Sequence, residues 1–203
     1  MIVERLADAA AVAQRGADVI AEGLRVGTAP FHLAVSGGTT PRTMFSRLAA
    51  LDVPWERLHL WQVDERLAPH GDPSRNLTML AETGLLDRVG VAHAMPVAPL
   101  AEYDVPTFDL VHLGMGADGH TASLVPGDPV LDASGDVALT GEYQGRRRMT
   151  LTFSALRRAR SVLWVVTGAD KAPALRRLLA EDTTLVAARV AHPQARLLTD
   201  VRL

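Results

Sequence analysis

The chain has 203 residues, 48% of them hydrophobic, with a formal net charge of −2 and no cysteine. That length and apolar content suit one globular unit over residues 1–203 with a sizeable core, and the near-neutral balance lacks the basic excess that draws a phosphate backbone, so nucleic acid is not an expected partner. Disulfides, thiolate nucleophiles and thiolate metal sites are excluded, and no stretch approaches the ~20 apolar residues that cross a bilayer. The charged N-terminus, "MIVERLADAAAVAQRGADVIAEGL", does not read as a signal peptide. A cytoplasmic protein with no membrane partner is the expectation.

In chain order, Leu6, Ala10, Ala13, Ala17, Ile20 and Leu24 recur at three- and four-residue spacing, which predicts a first helix that ends near Gly27. "FHLAV" at 31–35 follows as a strand, and "PRTMFSRLAAL" at 41–51 as a helix with Pro41 at its first position, where a missing N–H costs nothing. The first sheet strand is thus expected near residue 31. "RLHLWQV" predicts the next strand, and "RNLTMLAETGLL" the next helix, with Asp72 or Ser74 as its cap and Pro73 in its first turn. "FDLVHLGMG" is a strand ending on glycines, "SVLWVVTG" at 161–168 a strand buried on both faces, and "KAPALRRLLAED" an amphipathic helix. Alternating strands and helices predict an α/β three-layer sandwich around a mostly parallel, Rossmann-like sheet. The stretch 126–150 is rich in Gly and Pro and carries β character in "VALTG" and "RMTLTF", which predicts a small β-rich flap. Its "RRR" triplet at 146–148 is read as a solvated turn.

In open α/β sheets, ligands bind beyond the carboxyl ends of the strands. Four polar clusters follow predicted strands there: "SGGTT" at 36–40, "DER" at 64–66, "GADGH" at 116–120 and "GADK" at 168–171. Gly37, Gly38 and Thr39 suit an anion, because glycines let the backbone curl close to a ligand and the helix start supplies free N–H donors; by themselves they are equally ordinary turn residues. The loop lacks the spacing of a Walker or dinucleotide motif, so neither ATP nor NAD is implied, and no cofactor is expected. Lys171 is the only lysine among the 21 basic residues, all others being arginine, which marks a place where a compact ammonium is wanted, as for a phosphate. His120 sits two residues after Asp118 in a glycine-rich turn and is the candidate general base, whereas His32, His59 and His112 lie in strands and are read as locally hydrogen-bonded. Asp64 and Arg66 bring charge to a strand end; they read as ligands for an oxyanion or as a structural ion pair. With no H-x-x-x-H pair and no spaced carboxylate loop, a metal-free site is expected.

Taken together, "AVSGGTTP", "VDER" followed by "SRNLTML", "FDLVHLGMGADGHTASLVPG", "MTLTFSAL" and "VTGADKAPAL" resemble the 6-phosphogluconolactonase family, in that family's order from about residue 31 to 180. The resemblance implies an α/β fold shared with glucosamine-6-phosphate deaminase and hydrolysis of 6-phosphogluconolactone in the oxidative pentose phosphate pathway. It implies Gly37, Gly38, Thr39 and Lys171 on the substrate phosphate, His120 activating water, Arg66 opposing the intermediate's charge, and Asp64, Arg66 and Asp118 along the sugar end. The expected partner is a small phosphorylated sugar lactone, and the expected assembly a monomer or small homo-oligomer. The deaminase places an acid before its Pro-Gly pair where this chain has Val125. Sugar-phosphate sensors of this fold carry a helix-turn-helix ahead of it, for which a sheet starting near 31 leaves room for one helix only. The pattern departs from the family at Arg75, where Ser often precedes the Asn, and in length, for which trimmed loops between 88 and 108 are expected.

Overall fold

A computed structural model describes residues 1–97 and 103–202. In chain order the elements are β1 (Ile2–Arg5), α1 (Ala9–Arg25), β2 (Phe31–Val35), α2 (Thr39–Ala49), β3 (Leu58–Gln62), β4 (Asp64–Arg66), α3 (Asn76–Glu82) and β5 (Val91–His93), then β6 (Leu110–Leu113), β7 (Val137–Leu139), β8 (Arg148–Leu151), α4 (Phe153–Arg157), β9 (Val162–Val166), α5 (Ala172–Leu179) and β10 (Ala195–Thr199). Seven strands form one sheet in the order β1-β10-β9-β6-β2-β3-β5, and every pairing in it is parallel. β4, β8 and β7 form a second, antiparallel sheet, which is the expected β-rich flap. The mostly parallel α/β architecture read from the alternation is present.

Strand periodicity sorts the two apolar cores. Along β9, Val162, Trp164 and Val166 join one cluster, while Leu163 and Val165 join the other with α1, α2, Leu33 and Val35. A strand buried on both faces needs such an unbroken apolar run. The core on the first face also takes in Met149 and Leu151 of β8 and Leu175 and Leu178 of α5, so the small sheet is packed against the large one.

Several boundaries differ from the sequence reading. The sheet begins at Ile2 rather than near residue 31: β1 pairs with β10 at the chain's other end, and four residues that are mostly exposed carry no periodic signal. β5 and β10 escaped the pattern for the same reason of length or distant pairing. α1 starts at Ala9 because the Asp8 carboxylate accepts the Ala11 N–H at 2.8 Å and ends the preceding turn. Pro41 is the third residue of α2, not the first; the first turn leaves its N–H groups without intrahelical acceptors, so all of these positions tolerate proline. Neither Asp72 nor Ser74 caps α3, and Pro73 precedes the helix. Asp72 is spent on the Ser74 N–H and hydroxyl, while the N–H groups of Asn76 and Leu77 donate to Glu65. Of the stretch 88–108, residues 98–102 lie outside the described residues.

Three histidines make stability fall on mild acidification. His112 is fully buried on β6, where burial pushes its imidazole down to about 3, and its Nδ1 accepts the Ser36 N–H. Burial, and then repulsion from His59, also lower His32 and His93. Groups held neutral in the fold contribute stability that is complete above the unfolded value of about 6.5 and is lost as pH falls below it, for His112 at ~1.4 kcal/mol per pH unit. The urea midpoint should therefore drop between pH 7.5 and 5.5. In His112→Asn, whose side-chain oxygen can still accept from Ser36, that drop should be smaller; an unchanged slope would show that His112 is not the group being titrated.

Candidate active site

From β2 the chain moves through β3 to β5 on one side, and from β6 through β9 to β10 on the other. The strand order thus reverses between β2 and β6, and ligands of open α/β sheets bind at such a reversal. A cleft of ≈ 390 Å³ opens there, and its lining includes Gly37, Gly38, Thr39, Asp64, Arg66, His120 and Lys171. Seven of the eight residues singled out in the sequence meet in this one cleft. Asp118, expected along the sugar, is not in that lining; it lines a neighbouring recess and holds the His120 ring.

The loop after β2 leaves its donors free. Among the described residues, no protein acceptor takes the N–H of Gly37, Gly38 or Thr39. Gly38 has φ +132 and ψ 174 at the start of α2, a conformation essentially confined to glycine, and it turns these amides toward the cleft rather than into a strand ladder. Ser36 is clamped from below, its hydroxyl donating to the His112 carbonyl at 3.1 Å. Lys171, at the end of the turn after β9, is paired with exposed Asp170 at 2.9 Å.

His120 and Asp118 form a dyad. His120 Nδ1 stands 2.6 Å from Asp118 Oδ1, and the His120 backbone N–H donates to the same oxygen at 3.2 Å. A carboxylate only accepts, so Nδ1 carries the proton and Nε2 presents a lone pair. Burial pushes the Asp118 carboxyl up, but the two His120 donors and the Tyr143 hydroxyl outweigh it and leave Asp118 lowered. Tyr143, from the flap, donates to Asp118 Oδ2 at 3.3 Å and sets its ring at 62° to the imidazole. The turn admits no side chain at Gly116, where a Cβ would stand 2.2 Å from His120 Nδ1 and 2.4 Å from Asp118 Oδ1.

"DER" divides its labour by alternation along β4. Asp64 accepts from the Ser123 hydroxyl at 2.5 Å and from Asn76 Nδ2 at 3.0 Å, while Glu65 turns away to cap α3. Arg66 gives one Nη to the Ser74 carbonyl, and its buried Nε has no partner.

The sequence reading missed Arg148. The "RRR" triplet is not uniformly solvated: Arg146 and Arg147 remain at the surface, but Arg148 is 7% exposed, opposite Arg66 in the β4–β8 register, and lines the cleft. Burial, then repulsion from Arg66, lowers its guanidinium, and Asp64 opposes the shift; its Nε too has no partner. The signal was available in "RMTLTF": period two puts Arg148 on the same side of the strand as Thr150, which is fully buried. Two guanidiniums facing each other across a strand pair are unfavourable unless an anion sits between them.

The model of the family described as glucosamine-6-phosphate isomerases/6-phosphogluconolactonase matches residues 7–199. The chain belongs to this family. Among its relatives in the family, the 6-phosphogluconolactonase of Nostoc sp. is 34% identical over 224 residues, covering 97% of this chain and 93% of the relative. The GDH/6PGL endoplasmic bifunctional protein of Homo sapiens is 41% identical over 189 residues, 80% of this chain and 23% of that protein. The crystal structure of the 6-phosphogluconolactonase from Thermotoga maritima matches with a TM-score of 0.84 at 26% identity over 99% of both chains. A monomeric glucosamine-6-phosphate deaminase shares the fold, with a TM-score of 0.80 at 15% identity.

Proposed function

We propose that this protein hydrolyses 6-phospho-D-glucono-1,5-lactone to 6-phospho-D-gluconate, the lactonase step of the oxidative pentose phosphate pathway, within a single unit spanning residues 1–203. The observation that carries the reading is the placement of a His–Asp dyad, a loop of free amides and the only lysine around one cleft. The free N–H groups of residues 37–39 and the Lys171 ammonium take the phosphate dianion. His120 Nε2 removes a proton from water as the oxygen attacks C1, and the carbonyl electrons pass to an oxyanion that Arg66 and Arg148 face across the cleft. When the intermediate collapses, the C1–O5 bond breaks and the proton on Nε2 passes to O5. Asp118 is then an orienting group that fixes the imidazole tautomer rather than a contact for the sugar. These roles call for no metal or organic cofactor.

The lactonase is favoured over deamination by Val125, which is buried and lines the recess beside Asp118, outside the cleft; the acid that the deaminase carries at this place is missing. A coupled assay tests the proposal: the lactone is generated enzymatically, this protein is added, and acid release is followed above the spontaneous background. Release well above background is expected, with no ammonia from glucosamine-6-phosphate. Background-level lactone opening, or ammonia release, would overturn it.

A further inference from the structure

Adjoining the cleft, with which it shares Gly38, Thr39 and Arg66, lies a second, smaller recess of ≈ 180 Å³ lined also by Arg42, Ser74, Arg75 and their neighbours. Three of these side chains are guanidiniums. Arg42, on the surface, is paired with Glu82. Arg75 is different, because it is 6% exposed and its ion pair lies inside the protein, with the buried Glu65. Its Nε has no hydrogen-bond partner and stands 3.4 Å from Glu65 Oε2. Glu65 itself is saturated: Gln62 Nε2 and the N–H groups of Arg66, Asn76 and Leu77 already donate to it, which fills the roughly four acceptor positions of a carboxylate. The carboxylate therefore offsets the Arg75 charge from beneath without using its donors. Arg66 adds a second buried Nε without a partner. Buried guanidinium charge is costly to hold, and an oxyanion in the recess would sit against all three of these side chains.

We propose that this recess is a second anion site, distinct from the substrate's phosphate site, and that it takes a free tetrahedral oxyanion of the phosphate class between Arg75, Arg66 and Arg42. The recess, at ≈ 180 Å³, has room for a single such ion and part of its hydration shell. Arg66 forms the wall shared with the cleft, so an ion in the recess competes with the substrate for one of its cations.

Calorimetric titration of the intact protein with inorganic phosphate tests this without recourse to activity, so its failure is separable from that of the lactonase reading. Two phosphates per chain are expected. Lys171→Ala should leave one, held at the recess, and Arg75→Gln should leave one, held at the cleft, with the recess weakened about tenfold or more. Arg42→Ala, a surface change that cannot unsettle the core, should weaken only the recess site, by about threefold. Glucose 6-phosphate, too large for the recess, should bind once per chain, in the cleft. A single phosphate per chain in the unmodified protein, or a second site indifferent to both Arg75→Gln and Arg42→Ala, would overturn the proposal.

Discussion

Replacing His120 with alanine should lower kcat on the lactone by ~10²–10⁴-fold, the span typical of a lost general base, with little change in KM or in Tm. The ring lines the cleft, is partly exposed and is held by a bond to the more exposed Asp118, so its removal costs little stability. Asp118→Asn should produce an intermediate loss, since an amide no longer enforces proton placement on Nδ1. The double variant should be no slower than His120→Ala alone, because two groups that act as one unit lose their effect together. Rates are read after subtraction of spontaneous lactone opening. Near-normal turnover in His120→Ala would remove the imidazole from the mechanism, and strictly multiplicative losses would separate Asp118 from it.

Substitution of Arg148 by methionine should lower kcat/KM by about 10–100-fold, the equivalent of ~1.5–3 kcal/mol for a charge-assisted contact. Over the same change, Tm should stay level or rise. Arg148 is buried, faces Arg66 in register and has no partner for its Nε among the described residues. Its hold on the unliganded protein comes from stacking on Tyr143 at 5.0 Å and a 3.3 Å hydrogen bond to Gln144. Methionine preserves much of the stem's packing and removes one of two repelling charges, an exchange that is often neutral or stabilising at buried sites. Opposite signs for activity and stability distinguish a ligand-facing cation from a structural one. A clear fall in Tm with kcat/KM intact would assign Arg148 to the fold instead.

The cleft was legible in the sequence wherever chemistry and punctuation coincided. "SGGTT", "DER", "GADGH" and "GADK" each announce a strand end by an apolar run that stops at glycine or charge, and the rule that parallel strands deliver their carboxyl ends to one side makes them neighbours. Arg148 was hidden because a run of three arginines has the composition of a surface, and only the pairing of β8 with β4 turns its third member inward. For Asp118 the sequence left the partner open for a related reason. Its spacing from His120 permits either a ligand contact or a bond to the ring, and the structure shows the bond, at 2.6 Å to Nδ1.

The amino-acid sequence by itself determined the α/β class, the alternation that builds a parallel sheet and most of the residues around the cleft. All of these follow from short-range periodicity and from the conformational demands of glycine and proline. Tertiary structure alone decided that Ile2–Arg5 pairs with the final strand, that Glu65 caps α3 in place of Asp72 or Ser74, and that Arg66 meets Arg148 at the cleft and Arg75 at the recess. Each of these depends on contacts between segments far apart in the chain, where hydrogen-bonding partners are chosen by packing and not by local pattern.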